Sequence, residues 1–425
     1  MHAPLVADCS QIAGTVAAPR LRELRALPLS ALRREVPAQL DVPATTAGIA
    51  DFARIIFANK DIQPTWDQLM ARATASPADV GAMLDLSTIL QLAGERDQGL
   101  ALQADAIARQ RHYRRVVGTG SGPRLLAIVA PGDLMASTPV DFLLAGWDGE
   151  LDLLFVAPGD PPLQAIPEHD VAILAVGESD ANAPVLEALG SRIATWPRPM
   201  LNASTAGIVA LGRDRAPARL AGAASINAPM ARRVGRHDLV AQATSFPVIV
   251  RPVDSHAGAG LARLETQADV AAYLDRHDGA TFYISPFVDY ASADGRFRKL
   301  RIAIVGGRPF LAHLAISDHW MVHYLNAGMD QDGAKRAEEA DAMATFETGF
   351  ARRHAEAFAA LHAAFGLDYV AVDCAEDRDG RLLLFEADTA MIVHDMDPPA
   401  TYPYKAPAMR KLFAAFQAMV DSRAG

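Results

Sequence analysis

Apolar positions along this chain change period several times, and each change marks an element or a boundary. Between Ile49 and about Tyr113, Met83, Leu86 and Leu90, then Leu100, Ala104 and Ile107, recur at the three-and-four spacing of an amphipathic helix face. That spacing predicts two antiparallel helices around Gly94, within a helical module over residues 49–117. The run Gly118-Thr-Gly-Ser-Gly-Pro123 breaks the pattern. Strand-length apolar runs then follow at Leu125–Ala130, Leu151–Val156 and Val171–Val176, with a helix expected near Pro139–Ala145. This alternation is that of a small α/β unit with parallel strands, over 122–204. Residues 1–48, rich in Ala, Pro and Arg and without a long periodic segment, read as a partly ordered leader.

Composition narrows the class. At 425 residues the chain exceeds what one hydrophobic core organises, so two to three structural units are expected. No run of 18 apolar residues offers a membrane span. Cys9 and Cys374 are the only cysteines, which excludes a cysteine zinc site or a disulfide framework. Met1 to Arg20 carries Asp8, Ser10 and Gln11 where a secretory signal needs an unbroken apolar run, so a cytoplasmic location is expected. A net charge of -10 argues against general nucleic-acid binding. The cluster Arg20, Arg22, Arg25, Arg33 and Arg34 is broken by Pro28 and lacks interleaved aromatics, and reads as a solvated face. The α/β unit has no G-x-G-x-x-G, so no dinucleotide site is expected there.

Three stretches carry candidate chemistry. In Phe246-Pro-Val-Ile-Val-Arg251-Pro-Val-Asp-Ser255-His256-Ala-Gly258-Ala-Gly260-Leu261, a strand delivers a fixed cation to a loop of small residues, whose backbone N–H groups can approach an anion closely. The same pattern alone also fits a hairpin without function. No Gly-Lys-Ser/Thr follows; a return strand, Leu261–Leu264, precedes a helix capped by Thr266 with Asp269 three residues on, which predicts a β-hairpin lid. In Thr281-Phe-Tyr-Ile-Ser285-Pro286-Phe287-Val288-Asp289, a strand ends in a linker whose Pro286 carbonyl and Val288 N–H suit an adenine edge and whose Asp289 suits ribose hydroxyls; an ordinary strand end is the plainer alternative. In Leu367 to Asp388, two strands flank a turn centred on Arg378 and Asp379, placing Ala371 opposite Glu386 and Asp373 opposite Leu384. Asp373, Glu386 and Asp388 then share a face. Converging carboxylates beside core strands call for a neutralising cation, and oxygen ligands suit Mg2+, with Mn2+ a possible substitute.

In this order and at this separation, the three stretches resemble the ATP-grasp superfamily, over roughly residues 205–425. The resemblance implies a two-lobed α+β core, with a lid lobe about 236–290 and a metal-binding lobe about 291–425. The preceding α/β unit is similar to the domain ahead of the grasp in glutathione-synthetase-like and ribosomal-protein-modifying ligases. By that likeness Arg251 stands at the strand lysine that touches nucleotide phosphates, and Ser255, His256, Gly258 and Gly260 lie in the lid loop. Pro286, Phe287 and Val288 take the hinge, Asp289 the ribose, and Asp373, Glu386 and Asp388 the metal ions. Asp388 replaces the usual asparagine. The strand Arg298-Lys299-Leu300-Arg301 resembles the Asp-x-Arg strand, with Lys299 where the acid would stand and Arg301 facing the transferred phosphate. Asn326 sits where an asparagine near ATP is often found, and Arg232 or Arg233 is the candidate for a further upstream cation. Gly94 to Ile107 resembles the second helix of a tetratricopeptide repeat, with a generic helical hairpin as the alternative.

The fold class expected is therefore a multidomain α/β and α+β chain: a helical module, a parallel α/β domain and a two-lobed grasp core. The expected activity is that of an ATP- and Mg2+-dependent carboxylate-amine ligase working through an acyl phosphate, with Arg301, Arg251 and Asn326 in catalysis. Small-molecule or peptide acids and amines are the expected substrates; His313, Ser317, His319, His323 and His394 are the candidate substrate contacts. His319 and His323 lack the glutamate of an H-E-x-x-H zinc motif. The helical module suggests a protein or peptide partner or a homo-oligomer contact. A kinase acting on a hydroxyl, and a helical scaffold fused to an inactive grasp, are the alternatives.

Overall fold

A computed structural model of the chain describes residues 42–160, 166–253, 255 and 258–425. Most of the leader expected over 1–48, its basic cluster and His256 lie outside the described residues. The chain divides into two compact units. One is Ala206–Asp388; the other combines the described residues up to Thr205 with Thr389–Gly425.

In the second of these units, helices Ile49–Phe57, Gln63–Ala75, Val80–Leu92 and Arg96–Arg109 form the expected helical region. Val80–Leu92 is buried on nearly all sides, which explains why its apolar residues outnumber those of a single face. Asp79 caps it by accepting from the Ala82 N–H at 3.0 Å. Gly94, at φ +88°, turns the chain between the last two helices in a backbone conformation that favours glycine. At Gly99 a Cβ would come within 2.6 Å of Gln91 Cγ and 2.9 Å of the Ser87 carbonyl, so the crossing needs a residue without a side chain. Four helices make at most two hairpins, fewer than the three or so repeats that a tetratricopeptide stack needs.

The helical region ends earlier than residue 117. Strand β2 (His112–Val117) belongs instead to a six-stranded sheet with β1 (Ala44–Thr45), β3 (Arg124–Val129), β4 (Gly149–Phe155), β5 (Val171–Leu174) and β6 (Met200–Leu201). Its order is β1-β2-β4-β3-β5-β6. The four strands from the expected α/β unit run parallel, while β2 is antiparallel to β4. Arg114 on β2 fixes that pairing through two bonds to the buried Asp152 of β4, at 2.6 and 2.8 Å. The C-terminal helix Lys405–Ala424 was expected in the grasp core but packs in this unit. Trp147 donates to Asp421 at 2.9 Å, and Gln417 donates to the carbonyls of Leu143 and Ala145.

The unit Ala206–Asp388 contains two sheets. Strands β8 (Arg232–Gly235), β9 (Val248–Pro252), β10 (Ala262–Leu264) and β11 (Thr281–Pro286) form an antiparallel sheet in the order β10-β9-β11-β8. Alternate residues Val248, Val250, Phe282 and Ile284 point into a core with Val270 and Tyr273 of the helix Gln267–Leu274. Thr266 and Asp269 form the anticipated capping box of that helix. The second sheet orders β12 (Phe297–Val305), β13 (Arg308–Ser317), β14 (Tyr369–Glu376), β15 (Leu382–Asp388) and β7 (Ile226–Asn227) as β13-β12-β14-β15-β7. Gly306 and Gly307, both at positive φ, close the two-residue turn between β12 and β13. The architecture is thus a multidomain one, a helical region followed by mixed α/β sheets.

Candidate functional site

The five-stranded sheet sets the site by register. Arg301 of β12 lies opposite Asp373 of β14, which lies opposite Glu386 of β15. Directly opposed residues point to one face, so the three side chains form a row across the sheet, extended by His313 of β13. The β14–β15 register differs from the expected one by two residues. Glu376 pairs with Leu382, centring the loop on Asp379, because the Asp377 carboxylate accepts the Asp379 and Arg381 N–H groups at 3.0 and 2.9 Å. A bulge between Asp373 and Cys374 adds the second step. Asp373 therefore faces Glu386, and Asp388 faces Ala371. A shift of two preserves the face, so the three acids remain on one side.

A cavity of about 270 Å³ opens over this row within the Ala206–Asp388 unit. Of the expected residues, Arg251, Gly258, Pro286, Phe287, Val288, Arg301, His323, Asn326, Asp373 and Glu386 line it. Arg213, Tyr283, Lys299 and Trp320 join them without having been assigned a role beforehand. The apolar wall is aromatic: Phe287 meets the Trp320 ring edge-on at 5.7 Å and lies 4.0 Å under the Arg263 guanidinium. Tyr290 OH donates to the Trp320 carbonyl at 2.5 Å and fixes the loop that carries Trp320, Met321, Val322 and His323. Asn326 accepts from the His323 N–H at 2.9 Å, so it holds that loop as well as lining the cavity.

Other expected site residues have different partners. Asp289 pairs with Arg378 at 2.7 Å and does not line the cavity. Ser255 is bound to Arg251, whose Nε donates to its hydroxyl at 3.1 Å and whose other nitrogen reaches its carbonyl. Gly260 receives the Tyr273 hydroxyl on its carbonyl at 2.7 Å, which ties it to the helix Gln267–Leu274. The His313 ring lies 4.6 Å from that of Tyr324, and Tyr324 in turn donates to the fully buried Glu339. Buried Ser317 accepts from the N–H of exposed His319 at 3.1 Å. His394 belongs to the other unit, where it packs against Phe57 and Phe142.

The electrostatics of the row are unlike those of an acidic cluster waiting for a metal. Asp373, 4 % exposed, has both oxygens engaged: Oδ1 by Arg301 at 2.8 Å, Oδ2 by Lys299 at 2.8 Å and by Arg301 at 3.1 Å. Glu386 is ion-paired with Arg213. Burial pushes both acids up, but Arg301 and Lys299 hold Asp373 well below the usual carboxylate range, and Arg213 and Arg251 hold Glu386 below it. Burial and the neighbouring Arg213 lower Arg251 to about 9. Burial, with Lys299 and Arg301 beside it, lowers His323 to about 4 and leaves it neutral at pH 7. Among the described residues no group of three His, Cys, Asp or Glu side chains is disposed to hold a metal ion. The residues as placed do not fit a preformed Mg2+ or Mn2+ site, because two of the three acids expected to ligate it, Asp373 and Glu386, are already paired with guanidinium and ammonium groups.

Arg213 carries no sequence signal: it lies outside any motif, 173 residues before its partner Glu386. Lys299 was visible as a departure, a cation two residues before Arg301 and therefore on the same strand face.

No family model matches the chain, and no curated protein matches it. Solved structures do. A D-alanine–D-alanine ligase from Bacillus anthracis complexed with ATP is 14 % identical, covers 71 % of this chain and 97 % of its own, and has a TM-score of 0.43. VanG D-Ala:D-Ser ligase from Enterococcus faecalis is 10 % identical, covers 72 % and 100 %, and scores 0.42. A RimK domain protein ATP-grasp from Sphaerobacter thermophilus is 17 % identical, covers 71 % and 100 %, and scores 0.37. At these scores the likeness assigns nothing to this chain, and what the site can do follows from its own residues.

Proposed function

We propose that the Ala206–Asp388 cavity binds ATP and that the chain is an ATP-dependent carboxylate-amine ligase of ATP-grasp type, acting on an amino acid or peptide. The observation that carries this reading is the convergence, in one cavity, of the row Arg301–Asp373–Glu386 with Arg251, the Pro286–Val288 linker and Asn326. Arg251, the Pro286–Val288 linker, Asp373 and Glu386 come from the three separate stretches whose order resembles the superfamily; Arg301 and Asn326 come from the chain between the second and third. In this reading the adenine lies against Phe287 and Trp320, with its edge on the Pro286–Val288 backbone, and the phosphates face Arg251 and Arg301.

A substrate carboxylate oxygen attacks the γ-phosphorus; the bond from that phosphorus to the bridging oxygen breaks, and ADP leaves with the electron pair. The amine nitrogen then attacks the acyl carbon, loses a proton, and expels inorganic phosphate. Phosphoryl transfer demands positioning and charge neutralisation more than covalent help from the protein. Arg251 and Arg301 supply charge, and Asp373 holds Arg301 through a two-point contact that limits its rotation. The lid hairpin β9–β10 excludes water from the acyl phosphate. Among the described residues no helix is long and apolar enough to cross a membrane.

The test is ADP release by the purified chain against panels of amino acids and short peptides, with hydroxylamine present to trap an acyl phosphate as hydroxamate. Hydroxamate formed by wild type and lost in Arg301→Met is the expected result. ADP release with a stable phosphoester and no hydroxamate would make the protein a kinase. No ATP-dependent product from any acid would remove the ligase reading.

A further inference from the structure

We infer that the cavity neutralises its polyphosphate ligand with the chain's own cations, Arg213, Arg251, Lys299 and Arg301, and so binds a free nucleoside polyphosphate without a bridging divalent metal. The inference rests on the nucleotide reading of the cavity and departs from the metal dependence that the sequence resemblance implies.

Four cations line this cavity against two carboxylates, Asp373 and Glu386. Asp388 does not line it but acts on Arg213, and counting it still leaves the cations in excess. A free nucleoside polyphosphate is more negative than its magnesium complex, so a cavity with surplus positive charge favours the free form. Geometry points the same way. A dication at Asp373 would have to displace Lys299 and Arg301, both within 3 Å of its oxygens, and would then face the two half-buried cations it had displaced. At Glu386 it would meet Arg213 on the carboxylate and Arg251 alongside. The two acids serve as fixed counter-ions that hold the cations on one face in the absence of ligand. Arg301 is planted in the sheet between Asp373 and His313, and Lys299 shares its face two residues away. A bound phosphate chain would meet these cations as fixed charge, the guanidinium groups as planar forks and the ammonium as a point charge.

The experiment is calorimetric titration of ATP into the full chain, once with excess EDTA and once with excess MgCl2. Binding in EDTA at least as tight as in MgCl2 is expected, and it should weaken as salt screens the cations. Lys299→Met should loosen binding in EDTA by about tenfold, a change of about 1.4 kcal/mol, while Lys299→Arg keeps most of it. Circular dichroism checks that each variant is folded. Electron paramagnetic resonance of added Mn2+ should show no protein-bound ion. Binding that vanishes in EDTA, or Mn2+ held by the protein alone, would overturn the inference and leave the nucleotide reading standing. If ATP binds in neither buffer, the nucleotide reading falls, and inorganic tripolyphosphate in EDTA decides the rest: its binding upholds the cation cradle, and its failure to bind overturns that too.

Discussion

Replacing Asp373 by asparagine separates two electrostatic designs with opposite signs. If Asp373, Glu386 and Asp388 formed a metal-ligand cluster, removing one charge without metal would relieve repulsion and stabilise the fold. In the arrangement observed, Asp373 is instead the shared counter-ion of Lys299 and Arg301, with its own side chain 4 % exposed and theirs 15 % and 21 % exposed. Asparagine preserves shape and one acceptor but removes the charge, leaving two largely buried cations unmatched. Breaking a buried pair by removing one partner costs about 3–5 kcal/mol, and the retained amide oxygen places Asp373→Asn at about 3 kcal/mol. The measurement is denaturant-dependent hydrogen exchange of the β12 and β14 amides, which reports the Ala206–Asp388 unit apart from the other one. Adding Arg301→Met should recover part of the loss, and the double-mutant cycle gives the coupling. Asp373 also fixes the pH dependence. A carboxyl held below its ordinary value stabilises fully above the unfolded pKa of about 3.9 and loses that contribution as pH falls toward the folded value. The deficit of the asparagine variant should therefore shrink below about pH 4. An Asp373→Asn protein as stable as wild type, or more stable, would refute the ion-paired description of the site.

The helical region offers a titration of the opposite sign. Asp85, 1 % exposed, accepts from the Thr46 hydroxyl and from the Ala47 and Gly48 N–H groups, yet burial raises it from 3.8 to about 6. A raised carboxyl stabilises below its unfolded pKa and loses that contribution as pH climbs through 6, so this unit should lose about 2 kcal/mol between pH 4 and 7.5, a slope that Asp85→Asn abolishes in chemical unfolding. At Gly99, alanine should cost about 1–3 kcal/mol for overpacking, less about 1 kcal/mol of helix propensity, in thermal unfolding. Phe287→Ala removes the ring beneath Arg263 and beside Trp320, and should weaken ATP binding about fivefold or more while leaving tripolyphosphate unaffected.

Period and punctuation carried most of the fold. The apolar runs at 125–130, 151–156 and 171–176 became β3, β4 and β5, and Thr266 with Asp269 capped the helix it was expected to cap. What stayed hidden depended on long-range contacts. The placement of Lys405–Ala424 rests on Trp147 and Gln417 pairing with residues 274 positions away, and His394 falls in the same unit as that helix. Arg213 could not be found because an ion pair across 173 residues leaves no local trace. The register of β14 and β15 escaped because a side-chain cap at Asp377 and a bulge beside Asp373 each moved it by one, and only their sum kept the acids on the same face. The charge balance of the row, by contrast, was within reach. Lys299 and Arg301 are two positions apart on a strand, so both must face whatever acid the neighbouring strand presents. A lysine where an acid is expected turns a repelling cluster into a matched one. A single substitution of that kind can decide whether such a site needs a metal, and Lys299 is where the experiment should begin.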